Sequence, residues 1–196
     1  MPQRLISSLS CVKSLSRVKL SALLMDTDFT RDLADEAATL HFSAVLASVI
    51  QPNLTIYLHG DLGVGKTTLV RGLLRALGYL GKVKSPTYTL VESYEVKSNG
   101  FSKSNASSLI LYHFDLYRFN DEEEWEAAGF RDYFNENSVC LIEWPEKAQS
   151  VLPTPDLNVT FTIKDLGLTN GLSRSINISA HSILGQQCLE AISTGL

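Results

Sequence analysis

The chain has 196 residues, of which 44% are hydrophobic and 19% charged, and its formal net charge is −4. This composition is that of one ordinary globular domain with enough apolar side chains for a core, and it excludes disordered and fibrous proteins. No apolar stretch approaches the ~20 residues of a membrane span, so we expect a soluble, cytoplasmic protein.

The charge is distributed unevenly along the chain. Residues 1–25 contain four basic residues and no acid, so residues 26–196 hold the other 13 basic residues against all 21 acids, a balance of −8. A domain this acidic is a poor binder of nucleic-acid backbone on its own. We therefore divide the chain into an N-terminal extension, 1–25, and a single domain, 26–196. The extension has the composition of an organelle transit segment, but Met25 offers an alternative start, so an over-extended reading frame or a disordered tail fits equally.

The cysteines carry no sign of a metal or redox site. Cys11, Cys140 and Cys188 are scattered along the chain without the spacing of either kind of motif. This usage predicts packing roles in a reducing compartment.

The first predicted helix spans residues 31–50, where apolar side chains recur at helical spacing and either Thr30 or Asp32 is available as the N-cap. Pro52 ends this helix. The apolar run at 54–58 then predicts a strand.

Residues 60–68, Gly-Asp-Leu-Gly-Val-Gly-Lys-Thr-Thr, match the phosphate-loop pattern G-x-x-x-x-G-K-[ST] between this strand and a helical pattern at 69–77. Glycine backbones can take positive φ and turn successive N–H groups inward, where they and the helix start hold phosphate oxygens. Lys66 would add a charge at the β- and γ-phosphates, and Thr67 a hydroxyl ligand for Mg²⁺. The pattern predicts phosphate binding, with a glycine-rich turn between two core elements as the alternative.

The middle of the chain predicts two strands. Gly78 and Gly81 mark a turn, and an alternating run at 88–96 predicts the first of these strands. The polar segment 97–108 is interpreted as a lengthened hairpin connection. A second, mostly apolar strand at 109–114 ends at Asp115.

The last third of the chain predicts the remaining elements. A short helix is expected to begin after an Asn120 cap and to stop at Gly129, and its acidic first turn is interpreted as a solvated face rather than a metal site. A strand at 139–142 ends at Glu143, the runs 157–163 and 173–179 suit a hairpin, and a closing helix covers 183–192. The alternation indicates an α/β fold: one P-loop NTPase-like domain with a mixed central β-sheet flanked by helices.

A phosphate loop needs a metal partner, and two acids stand where one is expected. Asp115 and Glu143 each end an apolar strand, and strand ends converge beside the loop in such folds. Either acid could ligate Mg²⁺, directly or through water, or orient the attacking group. A structural cap for a loop is the alternative role for each.

Several other side chains are candidates with open alternatives. Thr87, in Ser-Pro-Thr, could offer its hydroxyl to the γ-phosphate and Mg²⁺, or merely belong to a turn. Arg118 and Arg131 could compensate charge that develops during phosphoryl transfer, or form surface pairs. His113 is interpreted as a satisfied core imidazole. Trp144 could cover the site or simply pack.

The nucleotide base is inferred from an absence. No Asn-Lys-x-Asp or Thr-Lys-x-Asp string of guanine-binding proteins occurs, so ATP is preferred to GTP. A small-molecule kinase would need a mobile basic lid. The long loop at 97–108 has just two lysines, which argues against a kinase without excluding one.

Five strings together resemble one known family. They are residues 60–68, 83–92 (VKSPTYTLVE), 112–118 (YHFDLYR), 129–134 (GFRDYF) and 140–145 (CLIEWP), and the resemblance covers about 35–155. The combination closely resembles the TsaE (YjeE) family of P-loop ATPases. It implies an Mg²⁺-dependent ATPase, activated by partners, that acts with the TsaD and TsaB proteins in the threonylcarbamoyl modification (t6A) of adenosine 37 in ANN-decoding tRNAs. Contact with tRNA would be indirect, through those partners.

The resemblance also implies roles for individual residues. Lys66, Asp115 and Glu143 would be catalytic, and Thr67, Glu143 and Asp115 would bind Mg²⁺. The implied ATP-binding residues are Asp61, Leu62, Gly63, Val64, Gly65, Lys66, Thr67, Thr68, Thr87 and Trp144. The segment 35–39 would approach the adenine. Two other functions stay open: a stand-alone P-loop metabolite kinase and a non-catalytic nucleotide-sensing module.

Overall fold

Seven strands form one mixed sheet. The structure, a computed structural model, describes residues 28–97, 108–165 and 172–195. The strands are β1 (Asp28–Leu33), β2 (Leu54–His59), β3 (Val91–Lys97), β4 (Ser108–Asp115), β5 (Ser138–Glu143), β6 (Leu157–Asp165) and β7 (Leu172–Ala180). Their order across the sheet is β1-β7-β6-β2-β5-β4-β3. The predicted extension, 1–25, and the interior of the predicted 97–108 loop lie outside the described residues.

Within the described residues, four α-helices accompany this sheet. They are α1 (Glu36–Val49), α2 (Lys66–Ala76), α3 (Glu122–Ala127) and α4 (Ile183–Thr194), and short 3₁₀ turns lie at Phe130–Tyr133 and Pro145–Lys147. The predicted α/β class with a mixed sheet is therefore confirmed. Across the three described stretches, every helix is too short or too polar to cross a bilayer.

The centre of the sheet is parallel and its borders are antiparallel. Strands β4, β5, β2 and β6 run in one direction, whereas β3, β7 and β1 run against their neighbours. The carboxyl ends of β2, β4 and β5 consequently meet at one edge, and Asp115 lies directly opposite Glu143 in the register. This edge is where loops after parallel strands build binding sites.

Two hydrophobic clusters cover the two faces of the sheet. Neighbouring residues of β5 alternate between them: Leu141 belongs to one cluster and Ile142 to the other. The first cluster includes Phe42 of α1 and Leu73 of α2. The second is aromatic, with Trp125 of α3 stacked 5.8 Å from the ring of Phe114. The sheet is thus buried on both sides, as its continuous apolar strands require.

The predicted helix at 31–50 was wrong over its first five residues. Residues 28–33 form strand β1, which pairs with β7 along its whole length. The N-cap is Asp35, whose Oδ1 accepts from the Ala38 amide at 2.8 Å, and neither Thr30 nor Asp32 caps the helix. Edge pairing overrides the local helical pattern, and residues 28–33 alternate between more exposed and less exposed side chains, as in a strand.

Two other element starts need correction. The strand predicted at 88–96 begins only at Val91, because residues 87–90 form a turn in which Leu90 has φ +62°. Helix α3 is capped by Asp121, whose Oδ1 accepts from the Glu123 amide at 2.8 Å, rather than by Asn120. Its predicted end at Gly129 is confirmed by a left-handed φ of +68°. The C-terminal hairpin and closing helix are also confirmed.

Candidate functional site

Three glycines with positive φ shape the loop between β2 and α2. Gly60, Gly63 and Gly65 have φ of +126°, +77° and +117°, which L side chains rarely adopt. A Cβ atom at Gly60 would also lie 2.7 Å from the carbonyl oxygen of Phe161. Gly65 is the N-cap of α2 and provides no side-chain cap, so the first-turn N–H groups of α2 are available to an anion.

The ammonium group of Lys66 lies over this loop. The residue is only 4% exposed, and its Nζ donates to the carbonyl oxygens of Gly60 and Asp61, the latter at 2.9 Å. Nζ also lies 3.9 Å from the centroid of the Trp144 ring. Burial lowers the pKa of Lys66, and the nearby carboxylates of Glu143 and Asp115 oppose that shift. The loop carbonyls are neutral partners, which leaves this positive charge suited to phosphate oxygens.

The carboxylate of Glu143 is held by two side chains. Its Oε1 accepts from the Thr67 hydroxyl at 2.8 Å and lies 2.9 Å from Nε2 of His113. Glu143 is 3% exposed and His113 completely buried. The Thr67 hydroxyl donates its proton to Glu143, so the lone pairs of the same oxygen are available to a metal ion.

The carboxylate of Asp115 accepts three hydrogen bonds. Ser85 and Thr87 donate their hydroxyls to Oδ2, Thr87 at 2.7 Å, and the two hydroxyl oxygens are 2.7 Å apart. The Tyr117 amide donates to Oδ1 at 3.1 Å. We call Ser85, Thr87 and Asp115 the hydroxyl clamp. It ties the segment before β3 to the end of β4.

A cleft of about 360 Å³ joins these groups. It is lined by Leu62, Gly63, Gly65, Lys66, Thr67, Thr68, Ser85, Thr87, Asp115, Tyr117, Arg118, Glu143 and Trp144. Ten residues named from the sequence as nucleotide-binding, metal-binding or catalytic are among them. Asp61 and Val64 are not in the lining: the Val64 side chain is buried in the core, and the Asp61 carbonyl holds Lys66.

Of the remaining candidates, one lines the cleft and two lie outside its lining. Arg118 lines the cleft, with its guanidinium 4.6 Å from the centroid of the Tyr88 ring. Arg131 is bonded to Glu126 on the exposed surface and is absent from the lining, so it forms a surface pair. Segment 35–39 supplies the cap of α1 and the buried Thr39, and it does not line this cleft.

Sequence reasoning missed three contributors. His113 was expected to be a satisfied core residue; it is buried, but it contacts Glu143, and its Nδ1 has no hydrogen-bond partner among the residues that the structure describes. The spacing of His113 two residues before Asp115, on the same face of a strand, was the available signal. Ser85 and Tyr117 flank predicted residues, but only the folded chain shows that both reach Asp115.

The residues present fit Mg²⁺ together with a nucleotide. In the described part of the chain, no group of three or more His, Cys, Asp and Glu side chains could hold a metal ion by itself. Mg²⁺ does not need such a cage, because it is commonly bound by one or two carboxylates, water and phosphate oxygens. The Thr67 hydroxyl and the carboxylates of Glu143 and Asp115, all in the cleft lining, are oxygen donors that could supply such a partial set of ligands.

Comparisons with known proteins identify the family to which the chain is similar. The family model "Threonylcarbamoyl adenosine biosynthesis protein TsaE" matches residues 33–172. The tRNA threonylcarbamoyladenosine biosynthesis protein TsaE of Haemophilus influenzae is 43% identical over 169 residues, covering 84% of this chain and 97% of that protein. Its counterpart of the same name in Bacillus subtilis is 36% identical over 121 residues, 62% and 69% of the two chains.

A solved structure has a similar fold. The crystal structure of Bacillus subtilis YdiB superposes with a TM-score of 0.62 at 26% identity and covers 86% of this chain and 95% of that one. The α/β fold is thus of the P-loop NTPase-like kind that the sequence predicted. With a family model matched over most of its length and a relative aligned almost end to end, the chain belongs to the TsaE family.

Proposed function

We propose that this chain is an Mg²⁺-dependent ATPase required for the threonylcarbamoyl modification of adenosine 37 in ANN-decoding tRNAs. It would act in the cytoplasm with the TsaD and TsaB proteins and reach tRNA through them. The observation that carries the proposal is the convergence of Lys66, Thr67 and two strand-end carboxylates around one phosphate loop. The relatives are named as proteins of tRNA threonylcarbamoyladenosine biosynthesis, and this supports the choice of pathway.

The loop and Lys66 bind the triphosphate. Backbone N–H groups at the start of α2 donate hydrogen bonds to phosphate oxygens, and Lys66 exchanges the carbonyls of Gly60 and Asp61 for phosphate oxygens. This exchange is favourable because an ammonium ion binds an anionic oxygen more strongly than a neutral carbonyl.

Thr67 and Glu143 would hold the metal ion, and Asp115 would set the geometry beside it. When bound, Mg²⁺ would neutralise negative charge on the phosphate oxygens. Asp115 fixes the Thr87 hydroxyl through the hydroxyl clamp, so that the Thr87 oxygen stays directed into the cleft. Trp144 and Tyr117, with ring centroids 5.0 Å apart, line the same cleft and limit the access of bulk water.

The reaction is a displacement at the γ-phosphorus. A water oxygen forms a bond to phosphorus while the bond between that phosphorus and the β,γ-bridging oxygen breaks, giving ADP and inorganic phosphate. One strand-end carboxylate accepts a hydrogen bond from the attacking water and orients it. Lys66 and Arg118, both in the cleft lining, oppose the negative charge that moves toward the leaving group.

Depletion of the protein tests the pathway. We expect threonylcarbamoyladenosine in bulk tRNA, measured by mass spectrometry, to fall on depletion and to return with the wild-type chain. Lys66→Ala should not restore it, whereas Lys82→Ala, an exposed lysine outside the cleft lining, should. An unchanged level of the modified nucleoside after depletion would contradict the proposal.

Hydrolysis assays separate the two other functions. With TsaD and TsaB added, label from the γ-phosphate should appear as free phosphate, and the rate should exceed that of the chain alone. Transfer of the label to a small acceptor would instead indicate a metabolite kinase. Normal tRNA modification in cells that carry only Glu143→Gln would indicate a nucleotide-sensing module without useful catalysis.

A further inference from the structure

A buried imidazole lies directly behind the cleft. His113 is on β4, two residues before Asp115, and its register partner on β5 is Leu141, two residues before Glu143. Because strand side chains alternate, His113 and Asp115 lie on the same face of β4. His113 is completely buried, and the cleft lining does not include it. It is therefore positioned to act on Glu143 from within the protein, without touching a nucleotide.

The contact between the two side chains selects one tautomer. Oε1 of a carboxylate only accepts, so the Nε2 atom 2.9 Å away must carry the proton and donate it. Within the described part of the chain, the Nδ1 atom has no hydrogen-bond partner, and it is buried. The tautomer with its proton on Nε2 leaves only a lone pair unpaired at Nδ1, whereas the other tautomer would bury an unpaired N–H and set two lone pairs against each other.

Both donors to Glu143 reach the same oxygen. Thr67 and His113 both contact Oε1, whereas Oε2 has no hydrogen-bond partner among residues 28–97, 108–165 and 172–195. The terminal torsion of a glutamate side chain is soft, so a single donor fixes it poorly. Two donors on Oε1 define the plane of the carboxylate and leave Oε2 as its free ligand atom.

We propose that His113 is a positioning residue that fixes the Glu143 carboxylate through its Nε2–H donor. Its loss would lower turnover and the benefit that Mg²⁺ gives to nucleotide binding, while binding of the metal-free nucleotide would stay the same. This proposal rests on the nucleotide site proposed above. A histidine that merely fills the core would affect stability alone.

Three variants of the full-length chain separate the two roles. His113→Leu removes the donor and keeps an apolar side chain. His113→Gln replaces it with an amide N–H on a side chain long enough to reach the position of Nε2. Leu111→Ala is the matched control, because Leu111 is completely buried on the same face of the same strand and belongs to the main hydrophobic cluster.

The measurements are kcat and KM for ATP hydrolysis with partners present, and the nucleotide Kd with Mg²⁺ and with EDTA. For His113→Leu we expect kcat and the Mg²⁺ enhancement of affinity to fall by roughly tenfold or more, as for other residues that orient metal ligands. The Kd in EDTA should stay within about twofold, since phosphate contacts remain. His113→Gln should recover most of the loss.

Two results would overturn the proposal. One is a His113→Leu variant whose kcat and Mg²⁺ enhancement equal those of Leu111→Ala. The other is a folded His113→Gln variant as impaired as His113→Leu. If the wild-type chain hydrolysed no ATP under any condition, the proposed ATPase would fail, but the ratio of the two Kd values would still decide the role of His113.

The tautomer can be read in the wild-type chain, in case the variants do not fold. With ¹⁵N-labelled histidine, the His113 ring should show a protonated Nε2 and an unprotonated Nδ1, and its Nε2–H signal should shift in Glu143→Gln. A ring protonated on Nδ1, or an Nε2–H signal indifferent to Glu143→Gln, would contradict the proposal.

Discussion

At the scale of single residues, Trp144 has an unusual backbone conformation. Its φ of +60° lies in the left-handed region, which bulky side chains rarely adopt. The residue follows Glu143 directly, and its ring contacts the ammonium group of Lys66. Strain of this kind is retained where a side chain must be aimed, and here the ring is aimed at the cleft.

Trp144 should report nucleotide binding by its fluorescence. The chain has two tryptophans, and Trp125 is completely buried in the aromatic cluster. When Lys66 moves to phosphate oxygens, the cation beside the Trp144 ring is displaced. We expect Mg-ATP to change the emission of wild-type protein and of Trp125→Phe but not of Trp144→Phe. If Mg-ATP still changed the emission of Trp144→Phe, the fluorescence change would not come from the movement of Lys66 away from the Trp144 ring.

The two described cysteines should make stability depend on alkaline pH. Burial raises the pKa of Cys140 to about 12 and that of Cys188 to about 11, from an ordinary 9.0. Above pH 9 the unfolded chain loses thiol protons that the folded chain keeps. The contribution of the two protonated thiols to the free energy of unfolding is therefore complete below pH 9, and it is lost as the pH rises toward 11 and 12.

Urea unfolding at pH 8, 9 and 10 measures this effect. The free energy of unfolding should fall above pH 9, by at most ~1.4 kcal/mol per pH unit for each thiol. The double variant Cys140→Ala, Cys188→Ala should show a shallower slope between pH 9 and 10, whatever its stability at pH 8. Equal slopes would assign the pH dependence to other groups.

At the scale of elements, the segment before β3 is held by side chains rather than by strand pairing. Ser85 and Thr87 precede the turn at 87–90, and both hydroxyls reach Asp115 at the end of β4. Just before β3 begins, the Leu90 carbonyl accepts a hydrogen bond from the Asp115 amide at 3.0 Å. The position of this segment beside the cleft therefore depends on Asp115.

The hydroxyl of Thr87 should matter more than its methyl group. Thr87→Val keeps the shape but removes the donor to Asp115 Oδ2, so we expect ATP turnover with partners present to fall by roughly tenfold. Thr87→Ser keeps the hydroxyl and should retain most of the activity. Equal loss in both variants would mean that the methyl packing, not the hydrogen bond, positions the segment.

The cap of α1 is a separate element with a measurable cost. Asp35 accepts from the Ala38 amide, and Asp35→Ala should lower the free energy of unfolding by about 1 kcal/mol in urea titrations. Asp35→Asn keeps an acceptor oxygen and should lose far less. A similar loss for both would indicate that the charge near the helix start, rather than the hydrogen bond, stabilises α1.

At the scale of the whole molecule, charge limits what the protein binds. Residues 26–196 carry a balance of −8, which repels a phosphate backbone. We expect no shift of tRNA mobility by this chain alone at physiological salt in native gels, and a shift only when the partner proteins are present. Tight tRNA binding by the isolated chain would require a local basic surface strong enough to overcome the net charge.

The sequence alone determined the phosphate loop, the two strand-end acids and the α/β class. These features are local: the loop is one contiguous segment whose glycines and lysine set its own geometry, and each acid simply ends an apolar run. Only the tertiary structure decided that Thr67 and His113 share one oxygen of Glu143, over 76 and 30 residues of chain. It also decided that 28–33 is a strand, because β7 provides its pairing partner. Such contacts follow from the register of neighbouring strands, which no local pattern contains.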